Sequence, residues 1–442
     1  MVASNGAAPR RGKKLTAWHL IAATYFMVSG GPYGLEELIA DAGYAGAMLA
    51  LLVTPFLWSL PTAFMVSELS SALPEDGGYY AWVKRALGPF WGFLEAWLSL
   101  AASVFDMAIY PTLFTLYLGR LWPALGSGPG AFIAGFGMIA VCAVWNVRGA
   151  RSVGGSSIVM TVLLLAPFVA LSVFAIAYPA SAAAVPAPAR PFDFVGALMI
   201  AMWNYMGWDN ASTVAGEVDR PQRTYPVAMI AAVVLVAVTY MIPVGAISRS
   251  GIPMSAWATG AWADAGGAVA GHWLSVAIVI GGTICAFGMF NALVLSYTRL
   301  PPALAEDGYL PKVFARRHPT TGAPWVSILV CAACWAACLG IGFSRLIAID
   351  LMLYGLSLLL EFVALVALRI REPSLPRPFK VWGGTAGAAL IGVAPAALIA
   401  VALARNLDET IWGMNAIAFG SIVIAVGPLI YVASRFVRRR VS

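Results

Sequence analysis

Three acidic residues lie inside long apolar stretches of the sequence, where carboxylates are uncommon. Asp106 lies in SVFDMAIY, Asp209 in NYMGWDN and Glu361 in LLLEFVAL. If these stretches are membrane helices, such acids are candidates for binding an organic cation or carrying a proton. Each has a structural alternative: Asp209 as a helix-capping carboxylate, Asp106 as a buried protonated carboxyl, and Glu361 as a partner in an interhelical hydrogen bond. The sequence therefore predicts cation or proton chemistry at these positions.

Two short segments interrupt apolar stretches near their middles. Residues 29–34 read SGGPYG, and residues 204–210 read NYMGWDN. Glycine and proline at these positions unwind a helix, and the exposed backbone groups are tolerated at membrane depth where they line a cavity. Paired breaks in corresponding helices point to a transporter's binding site. Packing glycines or ordinary kinks are the alternative.

The breaks and the nearby acids define a set of candidate substrate-binding residues. Aromatic side chains among them can bind an ammonium group and cover an alkyl chain, although aromatics are also common packing residues. Asp209 and Glu361 are in addition the candidates for a coupled proton. The substrate-binding set is Gly30, Gly31, Tyr33, Glu36, Asp106, Tyr110, Trp203, Tyr205, Gly207, Trp208, Asp209 and Glu361.

Composition places these residues in a membrane protein. The chain has 442 residues, of which 61% are hydrophobic and 11% charged, whereas about a quarter of a soluble protein is charged. The net charge of +7 comes from short basic clusters between apolar segments, so we expect a lipid bilayer and no nucleic acid as partner. The histidines (His19, His272 and His318) are widely separated, and no nucleophile–base or metal-ligand spacing is present. We therefore expect no enzyme, no cofactor and no metal site.

Apolar stretches of membrane-spanning length recur along the whole chain. About 20 such residues cross the hydrocarbon region. The sequence predicts an all-α membrane protein of about twelve transmembrane helices, with the two breaks in helices 1 and 6. The predicted spans are 16–40, 44–71, 89–119, 129–147, 153–178, 193–217, 225–248, 272–300, 323–341, 344–369, 384–404 and 411–434.

The basic residues sort to one side of this arrangement. With the N-terminus in the cytoplasm, nearly all Lys and Arg fall in cytoplasmic loops or tails, as the positive-inside rule requires. Twelve helices then place both termini in the cytoplasm, and we expect a cell-membrane location. The basic residues on the opposite side are Arg120, Arg190, Arg249, Arg345 and Arg405.

Glu68, Glu95 and Glu217 lie near the predicted cytoplasmic ends of their helices. Ion pairs that close a gate are one interpretation of these acids. Solvation at the membrane interface is the more ordinary one, and we expect it here.

Several motifs resemble one transporter superfamily. The segment 203–225, WNYMGWDNASTVAGEVDRPQRTY, resembles the sixth helix and following loop of the amino acid–polyamine–organocation superfamily. GGPYGLEE, from Gly30, resembles helix 1 of its polyamine-uptake branch. Further matches begin at Glu68 (ELSSALPEDGGYYAWVKRALGP), Ser296 (SYTRLPPALAEDGYLPKVFARRHPTTGAPW) and Leu358 (LLLEFVALVALRIREPSLPRPFKV), so the resemblance spans nearly the whole chain.

The resemblance implies a LeuT-like 5+5 inverted repeat with two additional helices. The implied organisation is a cytoplasmic tail (1–15), a first repeat (16–178), a second repeat (193–369), helices 11 and 12 (384–434) and a basic cytoplasmic tail (435–442).

Substrate class follows from the chemistry at the helix 1 break. Amino acid carriers of the superfamily bind the substrate carboxylate on backbone N–H groups there, but Pro32 removes one donor. Glu36 and Glu37 place negative charge next to it, and Asp106 and Asp209 add two further acids. We therefore expect polyamines such as putrescine or spermidine, moved by alternating access. The alternatives are a permease or exchanger of cationic or neutral amino acids and, from another class, a receptor that binds the substrate without transporting it.

Coupling to protons is favoured over coupling to sodium. Sodium-driven relatives place adjacent hydroxyl residues on helix 8, and TICAFGMFNALVLSYT has no such pair in its middle. Ser156 and Ser157 in helix 5 offer an alternative oxygen site. Asp209 and Glu361 are the residues expected to titrate.

Overall fold

The structure is a computed structural model that describes residues 14–75, 77–177, 191–339, 343–405, 410–411 and 414–441. Most of the predicted N-terminal tail and Arg190 lie outside the described residues. The described chain is almost entirely helical. Its helices are α1 (Ala17–Val28), α2 (Glu36–Thr54), α3 (Leu60–Ala72), α4 (Tyr79–Leu87), α5 (Pro89–Leu121), α6 (Gly128–Val147), α7 (Ala150–Ala177), α8 (Phe194–Asn204), α9 (Pro221–Ile247), α10 (Ala261–Ala270), α11 (His272–Tyr297), α12 (Leu300–Glu306), α13 (Trp325–Ala337), α14 (Phe343–Arg371), α15 (Gly384–Leu390), α16 (Val393–Arg405) and α17 (Ala416–Val441).

The predicted helical membrane architecture is confirmed. Among the described residues, nine helices are long and apolar enough to cross a bilayer, and the shorter α1 and α13 are also apolar. The first predicted span consists of α1 and the start of α2. The sixth consists of α8 and a 3-10 helix, Asp209–Glu217, so both predicted breaks are present.

The second span is continuous and consists of most of α2, a π-helical turn and α3. Gly43 has φ 65° and ψ 176° and separates the short first part of α2 from the rest. A π-helical turn at Pro55–Ser59 then joins α2 to α3. Because glycine adopts positive φ at little cost, Gly43 ends the first span and lets the chain reverse into the second.

The last predicted span differs from the structure at its start. It was expected from residue 411, but α17 begins at Ala416. A short antiparallel ribbon, β1 (Thr410–Ile411) and β2 (Met414–Asn415), precedes it. The apolar side chains of this ribbon extended the hydrophobic pattern beyond the helix, which is why the sequence placed the boundary too early.

The outer surface of the helical bundle is apolar, and its interior contains polar groups. Large apolar side chains on the helices α6, α7 and α9 are exposed, among them Phe132, Ile133, Val162 and Val234. A soluble protein would not leave such continuous apolar surface exposed, whereas lipid covers it. Asp106, Asp209 and Glu361 are instead buried between helices.

Candidate functional site

The helix 1 break is built by the segment between α1 and α2. The Ser29 N–H donates to the Tyr25 carbonyl (2.6 Å) and closes the last turn of α1. Gly31 (φ 78°) and Gly34 (φ 89°) adopt left-handed conformations that other residues rarely tolerate. A Cβ on Gly30 would collide with the Cys285 thiol of α11, so glycine permits the close contact.

The helix 6 break lies directly against the helix 1 break. α8 ends at Asn204, whose Nδ2 donates to the Gly34 carbonyl (3.3 Å). Gly207 has φ 96°, and its N–H donates to the Tyr354 hydroxyl of α14 (3.0 Å). A Cβ on Gly207 would meet the Met27 carbonyl at the end of α1. The two breaks therefore contact each other through backbone that has no room for larger residues.

A cavity lies between the two breaks and the helices α5, α11 and α14. Six of the predicted substrate-binding residues line it: Gly30, Tyr33, Asp106, Tyr110, Trp203 and Gly207. The principal lining residues that sequence reasoning missed are Asn204, Asn210, Cys285, Tyr297, Asp350 and Tyr354. Sequence and structure thus agree on the location of the cavity, but the predicted residues make up only six of its 18 lining residues.

Two carboxyls are the charged groups among the residues that line this cavity. Asp106 of α5 accepts hydrogen bonds from Tyr110 (2.9 Å) and from Tyr297 of α11 (3.2 Å). Asp350 of α14 is the second carboxyl in the wall and is 3% exposed. Asp209 does not line the cavity, but it accepts a hydrogen bond from the hydroxyl of Tyr354, which does.

Positive side chains do not balance these acids. No Lys, Arg or His among the described residues lines the cavity. The remaining wall is largely apolar, with sulfur-containing side chains from Met27, Met206, Cys285 and Met289. Such a wall can contact an alkyl chain, while the carboxylates are suited to ammonium groups.

Backbone donors at the helix 1 break are partly used by the protein itself. The Gly31 N–H donates to Ser29 Oγ (3.1 Å), and the Gly34 N–H donates to Glu36 Oε2 (2.7 Å). Pro32 has no N–H. The groups that could hold an anion at this break are therefore reduced by internal acceptors as well as by proline.

Glu36 does not line the cavity. In addition to the Gly34 N–H, its carboxylate accepts hydrogen bonds from the Tyr117 hydroxyl (3.0 Å) and the Gly260 N–H (3.1 Å). The nearby Trp262 Nε1 donates to the Pro32 carbonyl (2.8 Å). Glu36 thus ties the start of α2 to α5 and to the loop before α10, with its oxygens engaged by protein donors.

Five further predicted residues are not among the cavity-lining residues. Gly31 supplies backbone to the break, and Asp209 reaches the cavity through Tyr354. Tyr205 donates to the Leu51 carbonyl (3.2 Å). Trp208 and Glu361 are fully buried.

A buried ion-pair network closes the bundle on the face where α1 begins, here called the N-terminal face. Glu68 contacts Arg369 (2.5 Å) and Arg377 (3.3 Å) and accepts from the Val381 N–H (2.7 Å). Arg299 pairs with Glu217 (3.1 Å). Glu68 and Glu95 are fully buried, so the expected interfacial solvation is wrong for both. The helix ends pack against each other, so water does not reach these carboxylates as the sequence prediction assumed.

Comparison with known proteins identifies the family. A family model for amino acid permeases matches residues 21–434. The chain belongs to the amino acid permease family. This permease is 36% identical over 423 residues to the polyamine transporter PUT1 of Oryza sativa subsp. japonica, covering 95% of this chain and 79% of the relative. It is 34% identical over 418 residues to the polyamine transporter RMV1 of Arabidopsis thaliana, covering 93% and 84% respectively.

A more distant relative has an amino acid name. The permease is 27% identical over 297 residues to the serine/threonine exchanger SteT of Bacillus subtilis (strain 168), covering 64% of this chain and 65% of the relative. The resemblance inferred from the motifs is therefore confirmed, and the permease is a multi-pass membrane protein of a transporter family.

Proposed function

We propose that this permease is a secondary transporter that moves small organic cations such as putrescine and spermidine by alternating access. One observation carries the proposal: Asp106 and Asp350 line the cavity, and none of its described lining residues carries a balancing positive charge. A ligand with separated ammonium groups supplies that charge. The apolar and sulfur-containing wall would contact its alkyl chain.

The helix 1 break supports a substrate without a carboxylate. Two of its N–H groups already donate to Ser29 and Glu36, and Pro32 supplies none. A substrate carboxylate would have to compete with these acceptors and would lie near the carboxylates of the cavity. The names of PUT1 and RMV1 agree with this substrate class.

Proton coupling is the second part of the proposal. Asp209 and Glu361 are buried, and neither forms an ion pair with a cationic side chain in the part of the chain that the structure describes. A buried carboxyl without a cation is costly as an anion and is suited to bind and release a proton. The segregation of Lys and Arg supports an orientation with both termini in the cytoplasm, in the cell membrane.

The test is uptake by the purified permease in liposomes. Labelled putrescine and spermidine are compared with arginine and leucine, each with and without an inward proton gradient. We expect gradient-driven polyamine uptake that Asp209→Asn abolishes. Uptake of an amino acid that excess polyamine does not inhibit would contradict the substrate class and favour an activity like that named for SteT. Gradient-driven accumulation by Asp209→Asn would remove Asp209 from the proton pathway.

A further inference from the structure

A second pair of acids lies on the same two helices as the cavity acids, nearer the N-terminal face. Glu361 follows Tyr354 by about 10 Å along α14, and Glu95 precedes Asp106 by about 16 Å along α5. Both are fully buried, and neither lines the cavity. α5 and α14 pack against each other, and a contact between Ser99 of α5 and Ser357 of α14 joins the helices about one turn from each glutamate.

The hydrogen bonding of this pair is incomplete. Ser99 Oγ donates to Glu95 Oε1 (2.9 Å) and lies 3.4 Å from Ser357 Oγ of α14. Glu95 Oε2 and both carboxyl oxygens of Glu361 lack a hydrogen-bond partner within the described chain. Buried carboxyl oxygens are rarely left unsatisfied, because the lost hydration is not replaced.

The charged and titratable groups around the pair are anionic or neutral. Glu361 is within electrostatic range of Glu95 and Asp209, and Tyr79 of α4 is within range of all three. In the described part of the chain, neither glutamate forms an ion pair with Lys or Arg. Arg369, about two turns further along α14, is paired with Glu68. Two neighbouring carboxylates in this setting repel each other, so the pair is stable when it holds a proton.

We propose that Glu95 and Glu361 form one proton-binding site that exchanges the transported proton with the cytoplasmic side. The inference rests on the proposed proton-coupled function and deepens it by adding Glu95 to the pathway. In the closed conformation one of the two carboxyls holds the proton. Opening of the N-terminal face admits water, which takes the proton as hydronium and hydrates the two carboxylates that remain. In the reverse step, one of the two carboxylates binds a proton from hydronium.

The orphaned oxygens favour a proton over a substrate ammonium group. The cavity wall reaches Gly207 and Tyr354 but neither glutamate. A proton needs no additional volume and converts a buried carboxylate into a neutral carboxyl. An ammonium group would need an open space between the helices.

Glu95→Gln tests the site because glutamine has the size of a protonated glutamate and cannot release a proton. The full-length permease in liposomes is assayed for putrescine accumulation driven by a proton gradient and for putrescine exchange at equal pH. We expect Glu95→Gln to lose accumulation and to retain exchange, since exchange requires no net proton release. Glu306→Gln, at an exposed acid paired with Arg317, is the matched control and keeps both activities.

Three results overturn the inference. The first is normal accumulation by Glu95→Gln. The second is a folded Glu95→Gln variant that has lost both accumulation and exchange, which would assign the pair to binding of the substrate cation. If Glu95→Gln does not fold, Glu95→Asp is assayed instead. The third contradicting result is uptake by Glu95→Asp with the pH profile of the wild-type permease. Absence of gradient-driven uptake by the wild-type permease would instead overturn the proposed function.

Discussion

At the scale of single residues, the cavity is defined by two carboxyls, one of which accepts hydrogen bonds from tyrosine hydroxyls. Tyr110 and Tyr297 fix the Asp106 carboxyl from two helices, so it is oriented before a ligand arrives. Asp350 faces the same cavity from α14. Preorganised charge of this kind reduces the cost of ordering the site on binding.

Replacement of either lining acid is expected to weaken cation binding. Asp106→Asn and Asp350→Asn keep the side-chain size and remove the charge. A charge-assisted hydrogen bond is worth about 1.5–3 kcal/mol, so we expect each to raise the putrescine Kd about ten- to a hundredfold. Titration calorimetry on purified variants measures this. Asp219→Asn, at an exposed position, is the control, and wild-type affinity in both lining variants would contradict the site.

Part of this wall could be predicted from sequence and part could not. Asp106 stood out because it interrupts an apolar stretch. Asp350 carries the same signal within the predicted span 344–369, and the same rule applied consistently would have found it. Tyr297 gave no such signal, because its role depends on a contact with a distant helix. Asn210 lies in the predicted break 204–210, but its contact with Ser296 could not be read from the sequence.

At the scale of elements, the site depends on two helix breaks that touch each other. The glycines and proline of both breaks were recognisable in the sequence, because these residue types report local backbone requirements. The sequence did not show that the two breaks contact each other, because the contact between Asn204 and Gly34 joins positions 170 residues apart.

Gly207→Ala is expected to disrupt this contact. Alanine at φ 96° is strained by about 1–2 kcal/mol, and its Cβ would press on the Met27 carbonyl. We expect a lower Tm and loss of putrescine uptake. Gly137→Ala, on α6 with open space around the added Cβ, is the matched control and should keep both. Wild-type behaviour of Gly207→Ala would show that the breaks do not require this close contact.

Glu36 tests whether an acid at a break binds substrate or positions an element. Glu36→Ala leaves three buried donors without an acceptor, each costing about 1–3 kcal/mol, so we expect a marked fall in Tm. Glu36→Gln keeps an acceptor and should retain most of the stability and the wild-type putrescine Kd. A Glu36→Gln variant with normal Tm and a Kd raised by at least about tenfold would instead support direct substrate contact.

At the scale of the whole molecule, the conformation is closed on the N-terminal face by buried ion pairs. Glu68, Arg369 and Arg377 join the end of the second span to the end of the tenth. Arg85 and Glu372 form an additional pair nearby, but both are partly exposed. Removing one partner of a buried pair lowers the free energy of unfolding more than removing one partner of an exposed pair. The charge that remains is unhydrated only in the buried pair.

Glu68→Gln is therefore expected to loosen the closed face. Removing one partner of a buried pair costs about 3–5 kcal/mol, which favours conformations in which Arg369 reaches water. Hydrogen–deuterium exchange should become faster at the end of α14 and in α4. Unchanged exchange would show that other contacts keep this face closed.

The control for this measurement is Glu372→Gln. Hydrogen bonds from Arg85 lower the pKa of Glu372, so the contribution of this pair is present above the unfolded pKa of about 4.3 and is lost as pH falls through the lower folded value. Because the pair is exposed, we expect little change in exchange at neutral pH.

The most direct test of the cavity's chemistry compares putrescine with ornithine, which is putrescine carrying one carboxylate. Both ligands are titrated into the purified permease under identical conditions. The two acids of the wall and the occupied donors of the helix 1 break predict that putrescine binds at least about tenfold more tightly. Equal or tighter binding of ornithine would contradict the account, because it would require a carboxylate site that this cavity is proposed to lack.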